Sequence, residues 1–278
     1  MASYADARAA GGSWLVRIED VDTPRTRPGA DAAILASLER LGFQWDGPVW
    51  RQSSRTAAYE AALDRLRERG AIYPCACTRS ERAADPVGRC GERVYPGVCR
   101  DGIDPRRAAR TRRAMRVRTS ASAVSFVDRL YGPQHQVPAT DVGDFIVRRS
   151  DGLFAYQLAV VVDDAAQAIT DVVRGADLLA STPRQIDLQH LLGVATPRYL
   201  HVPVAVDSRG IKLSKESRAR ALPQSPLPAL TAAWQFLAQP MPDDAPSSVA
   251  EFWAWAFTSW RPARLPRASV LAAPPAYN

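Results

Sequence analysis

The most constraining stretch of this chain is Leu158-Ala159-Val160-Val161-Val162, an unbroken apolar run preceded by Tyr156 and closed by two carboxylates, Asp163 and Asp164. A short β-branched run bounded by polar residues predicts a strand buried on both faces, the mark of a parallel sheet. The fold class expected is therefore α/β, with ligands taken at the carboxyl ends of the strands. A few residues on, Asp171-Val172-Val173-Arg174-Gly175-Ala176-Asp177 places an arginine beside a glycine that lets backbone approach closely. A forked, permanently charged guanidinium there suits a small anionic substrate. A core strand followed by a surface arginine is the plainer account of these residues taken alone.

At 278 residues the chain is long enough for one large or two modest domains with a real core. It has no apolar run of membrane-span length and no basic-then-apolar leader, so no membrane partner and a cytoplasmic location are expected. The net charge of +7 tilts the choice of partners toward polyanions such as nucleic acid. All four cysteines, Cys75, Cys77, Cys90 and Cys99, lie close together, which in a reducing compartment reads as metal binding before disulfides. Two thiolates one residue apart, with more sulfur on a polar glycine-containing loop, can close a tetrahedral zinc site. On that chemistry alone the four cysteines are the ligands. The competing reading, small buried hydrophobes, suits so polar a loop poorly.

Along the chain, residues 1–10 read as the second half of a helix stopped by Gly11-Gly12. Trp14 to Ile18 reads as a strand running into Glu19, Asp20 and Asp22, acids that can hold an ammonium or a metal or simply form a solvated loop. Two scaffold helices follow, at 31–41 with Ile34, Leu35, Leu38 and Leu41 on its inner face, and at 55–69 with Tyr59, Ala62, Leu63 and Leu66. A basic helix is expected at 104–113 and a half-exposed strand at 115–118. A hairpin turning at Asp151-Gly152 should feed the central strand. Thr182, Pro183 and Gln185 carry the cap, first-turn proline and capping-box residue of another helix. Tyr199 to Val206 reads as one more buried strand. After it comes a glycine-containing loop with Lys212, Ser214 and Lys215, whose ammonium groups can follow phosphate charge as it moves during a reaction. A proline-rich linker at 222–228 leads to helices around Trp234 and from Ser248; Phe252, Trp253, Trp255 and Trp260, at helical spacing, read as core before base-stacking residues.

Taken in order, RIEDVDTPR (17–25), CAC with YPGVC (75–99), GLFAYQLAVVVDD (152–164), VVRGADLL (172–179), STPRQ (181–185) and KLSK (212–215) resemble the catalytic half of a class I glutamyl-tRNA synthetase. The resemblance covers nearly the whole chain and is closest to the short glutamyl-queuosine tRNA(Asp) synthetases. Only about 60 residues follow Lys215, too few for the helical anticodon-binding region of a full glutamyl-tRNA synthetase.

The resemblance implies a Rossmann-like catalytic domain with an inserted zinc-binding subdomain and a short helical C-terminal part. The expected units are 1–72, 73–143, 144–221 and 222–278. It implies ATP-dependent activation of L-glutamate, with Mg2+ accompanying ATP, and transfer to queuosine in tRNA(Asp), by a monomer. Glu19, Tyr156 and Arg174 match the positions that hold glutamate, and Lys212, Ser214 and Lys215 the loop that holds ATP, Lys215 acting on the phosphates during catalysis. The family's zinc pattern, Cys-x-Cys then Tyr-x-x-x-Cys, selects Cys75, Cys77, Tyr95 and Cys99 and leaves out Cys90, against the purely chemical choice. Family members also begin with a strand and a HIGH-like motif that should precede Met1; without that segment the chain as written is expected to be catalytically crippled, with an exposed hydrophobic groove. The alternatives are a non-catalytic RNA-binding remnant of a synthetase, or a fragment of a true glutamyl-tRNA synthetase.

Overall fold

The structure, a computed structural model, describes residues 1–22, 26–88, 91, 93–213 and 225–274. Its elements begin with α1 (Ala2–Ala9), β1 (Arg17–Ile18), α2 (Ala30–Arg40), β2 (Trp50–Arg51), α3 (Thr56–Glu68) and β3 (Ile72–Cys75). The middle of the chain forms β4 (Ala114–Val117), β5 (Val124–Asp128), β6 (Gly132–Gln136), α4 (Pro138–Asp141), β7 (Ile146–Arg148) and α5 (Tyr156–Ala166). Then come β8 (Asp171–Gly175), α6 (Thr182–Leu192), β9 (Arg198–Val202), β10 (Val204–Val206), α7 (Pro226–Phe236), α8 (Val249–Ser259) and β11 (Val270–Ala272).

The main sheet runs β6-β5-β9-β8, with β8 and β5 both parallel to β9 and β6 antiparallel at the edge. Its register sets Arg174 beside His201. Parallel pairs β1-β2 and β10-β11 stand apart from it, and β3-β4-β7 is antiparallel.

Residues 158–162 are not the central strand. They form α5, which buries Leu158, Ala159, Val160, Val161 and Asp163 among α3 and α6. A helix enclosed by other helices is apolar all round, so its sequence loses the 3.6-residue stripe and imitates a two-faced strand. The parallel strands are the less apolar 171–175 and 198–202 on either side of α6. The Asp151-Gly152 turn does form, with Gly152 at φ 92° and an isolated antiparallel bridge from Arg148 to Phe154, but it delivers the chain into this helix.

Other expectations shift for local reasons. The strand read across 199–206 breaks at Pro203 into β9 and β10, since proline offers no N–H to a ladder. The basic helix shrinks to a single 3-10 turn, Pro105–Arg107, because Arg107 and Arg110 turn aside to Glu81. In α2 no residue is buried, and Ile34 is 43% exposed. The inner face of α3 is as read, with Tyr59, Leu63 and Leu66 fully enclosed. Ser181 rather than Thr182 occupies the N-cap of α6, and Gln185 donates to Gln157 at 2.8 Å instead of closing a capping box.

A second core joins α1, α7 and α8, where Tyr4 meets Trp253 edge-on at 4.8 Å and Trp234, Phe252 and Trp260 are enclosed. The aromatic helix is thus core, capped by Ser248 accepting from the Glu251 amide at 3.1 Å. Asp6 fastens this layer to the sheet, accepting from Arg129 at 2.6 Å and from the Trp260 indole at 2.9 Å. Among the described residues no helix is long and apolar enough to cross a membrane.

Candidate active site and cysteine centre

An open cleft of about 840 Å³ lies between α2 and the segment Trp14–Asp20. Trp14, Val16, Ile34 and Leu38 give it an apolar wall, and Arg17 and Glu19 a charged floor. Tyr156 and Arg174 do not line this cleft. Arg174 is close enough to Glu19 to work against the burial that raises its pKa, and Glu19 and Arg174 both act on Tyr156.

Arg17 ties the floor together. Its Nη2 lies 2.8 Å from Asp164 Oδ1 and 3.3 Å from Glu19 Oε1, and its Nη1 donates to Gln167 at 2.8 Å. Burial opposes its charge, but Asp164, Glu19 and Asp163 together outweigh that and raise its pKa. Burial raises the pKa of Glu19 despite Arg17, and Asp164 adds to the rise. Asp164 is raised the same way, and Tyr156 by burial and then by Glu19. The paired carboxylates at the end of α5 have parted ways. Asp164 faces Arg17, whereas Asp163 is fully enclosed and accepts from Arg55 Nε (2.5 Å), Tyr59 (2.7 Å) and Gln52 (3.2 Å).

Arg174, on β8, is held along one edge. Its Nε donates to His201 Nε2 at 3.1 Å and its Nη2 to Thr182 Oγ1 at 2.8 Å. A Cβ on Gly175 would come within 2.4 Å of Asp177 Oδ1, so a larger residue there would push Asp177 aside. Asp177 accepts from Lys212 Nζ at 2.6 Å, which hooks the lysine loop to the end of β8. Ser214 and Lys215 lie outside the described residues.

The sequence-read residues Glu19, Tyr156 and Arg174 therefore share one locality, with Lys212 linked to it. Arg17, Asp164, Thr182 and His201 belong to the same network and were missed or given other roles. Thr182 was read as a cap; Arg17 and His201 sit in short apolar strands, where a polar residue is a signal of a buried partner.

In the second cluster the sulfurs of Cys75, Cys77 and Cys99 all lie within 4.8 Å of one another. The Tyr95 hydroxyl oxygen is 3.4 Å from Cys75 Sγ and 3.5 Å from Cys77 Sγ, and Cys77 and Cys99 are 3.6 Å apart. Zinc bonded tetrahedrally to sulfur and oxygen needs ligand–ligand separations of roughly 3.5–3.8 Å, and these three separations are close to that. Cys90 lies outside the described residues. The Cys99 amide donates to the Tyr95 oxygen at 2.9 Å, and the buried Arg116 guanidinium stacks 3.9 Å from the Tyr95 ring. Burial alone would raise Cys75, yet contacts from Tyr95, the Cys77 amide and Arg116 bring its pKa below the ordinary value. Cys77 is pushed up to about 11, by burial first, against the opposing contact with Tyr95, and with help from Cys99 and Cys75.

The sequence profile described as tRNA synthetases class I (E and Q), catalytic domain, matches residues 1–227. A protein of Aromatoleum aromaticum named glutamyl-Q tRNA(Asp) synthetase is 55% identical over 99% of this chain and 87% of its own length. One of the same name from Pseudomonas aeruginosa is 50% identical over 98% and 90%. In fold the chain resembles the glutamate-tRNA synthetase of Elizabethkingia anophelis, with a TM-score of 0.77 at 20% identity. That alignment covers 98% of this chain and 63% of the synthetase, so the chain spans about three-fifths of that longer protein. This chain belongs to the class I tRNA synthetase (E and Q) catalytic-domain family and is, like its relatives, an ATP-dependent ligase.

Proposed function

We propose that the protein activates L-glutamate with ATP and passes the glutamyl group to queuosine in tRNA(Asp). In the first step a glutamate carboxylate oxygen attacks the α-phosphorus of ATP and pyrophosphate leaves. In the second, a hydroxyl of the queuosine cyclopentene ring attacks the activated carbonyl and AMP leaves with the bonding electron pair. Glu19 takes the α-ammonium, Tyr156 packs alongside, and Arg174 grips a glutamate carboxylate through its free edge. Lys212, Ser214 and Lys215 follow the phosphates, with Lys215 neutralising charge as the adenylate forms, and Mg2+ arrives with ATP. Cys75, Cys77, Tyr95 and Cys99 hold a structural zinc ion, which supplies a crosslink for an otherwise loop-rich subdomain and no reactive chemistry. We assign the units as 1–72, 73–143, 144–221 and 222–278, acting as a monomer in the cytoplasm.

The observation that carries this reading is the convergence of Glu19, Tyr156 and Arg174 on one electrostatic network at the carboxyl end of a parallel strand. The test is glutamate-dependent exchange of pyrophosphate into ATP without tRNA, followed by transfer to queuosine-containing tRNA(Asp). Arg174→Ala should lower exchange about 1000-fold or more, as loss of a charge-assisted fork in a transition-state complex does. Unchanged exchange in that variant would refute the assignment. A protein that binds tRNA but never activates glutamate would instead be a binding remnant.

A further inference from the structure

The Asp128–His201 pair lies behind Arg174, fully enclosed, at the heart of the main sheet. Asp128 ends β5 and His201 stands in β9, one strand away from Arg174 and in register with it. The Asp128 carboxylate is saturated. Its Oδ1 accepts from the Leu130 and Tyr131 amides, both at 2.9 Å, and its Oδ2 accepts from the His201 amide at 3.1 Å and sits 2.7 Å from His201 Nδ1. Burial would raise its pKa, but these donors, His201 foremost, hold it below the ordinary value.

The tautomer of His201 follows from its neighbours. Arginine Nε always carries a hydrogen, and Arg174 Nε points at His201 Nε2 from 3.1 Å. That ring nitrogen must therefore offer a lone pair, which places the single ring proton on Nδ1, facing Asp128. Thr182 Oγ1, 3.2 Å from the same Nε2, accepts from Arg174 Nη2. Nε and Nη2 form one edge of the guanidinium, so that edge is used up by the protein. The opposite edge, Nη1 with the second N–H of Nη2, has no hydrogen-bond partner among the described residues. The ring of Tyr199 lies 5.5 Å from the Arg174 carbon, closing one side.

We propose that Asp128 and His201 act as a positioning relay. The carboxylate fixes the imidazole as its Nδ1–H tautomer, and the imidazole, with Thr182, fixes the guanidinium rotation so that its free end-on edge presents two parallel N–H groups to a substrate carboxylate. The relay rests on the reading of Arg174 as the carboxylate ligand, and it adds a specificity consequence. A lysine at 174 cannot replace arginine, because a single ammonium cannot meet His201, Thr182 and a carboxylate in one plane. Preorganisation of this kind acts on substrate affinity, and leaves the handling of ATP phosphates alone.

The test uses the full chain labelled with 15N-histidine. With only three histidines, His201 is assigned by comparing wild type with His201→Gln. The expected spectrum has Nδ1 protonated and Nε2 bare; a proton on Nε2 overturns the proposal whatever the binding data say. In parallel, titration calorimetry measures glutamate affinity. His201→Leu should raise Kd about 10- to 100-fold, the cost of one charge-assisted hydrogen bond, and leave ATP affinity within about threefold. His201→Gln, whose Oε1 falls near the lost Nε2, should recover most of the affinity. If neither His201 variant changes the Kd while Arg174→Ala abolishes binding, the relay fails and the Arg174 assignment stands. If Arg174→Ala also binds normally, the parent reading fails. Equal loss for His201→Gln and His201→Leu, with unchanged melting temperatures, also counts against the relay.

Discussion

The ionic floor of the cleft and the cysteine centre are both polar clusters in the interior, and they solve the cost of burial in opposite ways. In the cleft the charges balance within the protein. Arg17 and Arg55 answer Asp164 and Asp163, and the buried pairs are completed by hydrogen bonds with Tyr59, Gln52 and Gln167. The cysteine centre gathers three thiols and a phenol around a single buried cation, Arg116. Burial is the first reason that Cys77 and Tyr95 both resist ionisation there; Cys99 and Cys75 add to it for Cys77, against Tyr95, and all three cysteines add to it for Tyr95. A self-balanced network can be assembled before its ligand arrives. A cluster of thiols and a phenol is instead suited to a cation, whose binding draws off their protons.

Removing the zinc ion proposed for the cysteine centre is therefore the largest perturbation available. A structural zinc site contributes about 10 kcal/mol or more of apparent binding free energy, which is also folding free energy for its subdomain. Chelation, or Cys99→Ser, should collapse amide protection within β3, β4 and the loops around Tyr95 in hydrogen exchange, with zinc content falling to zero by elemental analysis. Protection in α5, β8 and β9 should survive. Loss spreading equally through both regions would show that they fold as one unit and would dissolve the contrast.

Next in size is Asp163→Ala. It strips one carboxylate from Arg55, Tyr59 and Gln52 at once, leaving a cation and a hydroxyl without their acceptor. Breaking a buried pair from one side costs about 3–5 kcal/mol. Denaturant unfolding should register it, with zinc content unchanged. A cost near zero would mean that water reaches Arg55 and Tyr59, and that the cleft floor is no more self-contained than an ordinary surface.

How much of this was legible beforehand differs by region for physical reasons. The glycine-stopped amphipathic helix α3 and the Ser248 cap of α8 were readable because their apolar stripes face a core and their polar sides face water. α5 was not, since a helix walled in by α3 and α6 carries no polar side to mark its period. Arg174 and Glu19 were reached through family resemblance and through the chemistry of an arginine beside a glycine. Asp128 and His201 were invisible, because they are 73 residues apart and meet only through strand order. The fourth position of the cysteine centre is where chemical reasoning and family pattern part: the first takes Cys90, which lies outside the described residues, and the second takes Tyr95, whose hydroxyl stands 3.4 Å from Cys75 Sγ.

The smallest effect concerns Glu19, the exposed rim of the cleft floor, and it separates function from stability. In the folded protein the pKa of Glu19 is raised above its ordinary 4.5, chiefly by burial. Between its unfolded and folded pKa values the native state therefore binds more protons than the unfolded one, so this group disfavours the fold when charged and stops doing so as pH falls through the folded pKa. Glutamate binding depends on the opposite form, because only the carboxylate attracts an ammonium. Glu19→Gln should thus melt at the same temperature as wild type or slightly higher at pH 7, with the difference shrinking toward pH 4.5, while binding glutamate more weakly at neutral pH. The wild-type Kd should rise on acidification with an onset above pH 4.5, and the ratio of the variant's Kd to that of wild type should fall in the same interval. Taking the ratio removes the titration of glutamate itself. Asp128, whose pKa is lowered, has the opposite sign: its contribution to stability is present at neutral pH and disappears only as pH falls through that lowered value. If Glu19→Gln instead destabilises the fold at pH 7, its ion pair with Arg17 outweighs burial, and the rim belongs with the self-balanced floor rather than with the substrate.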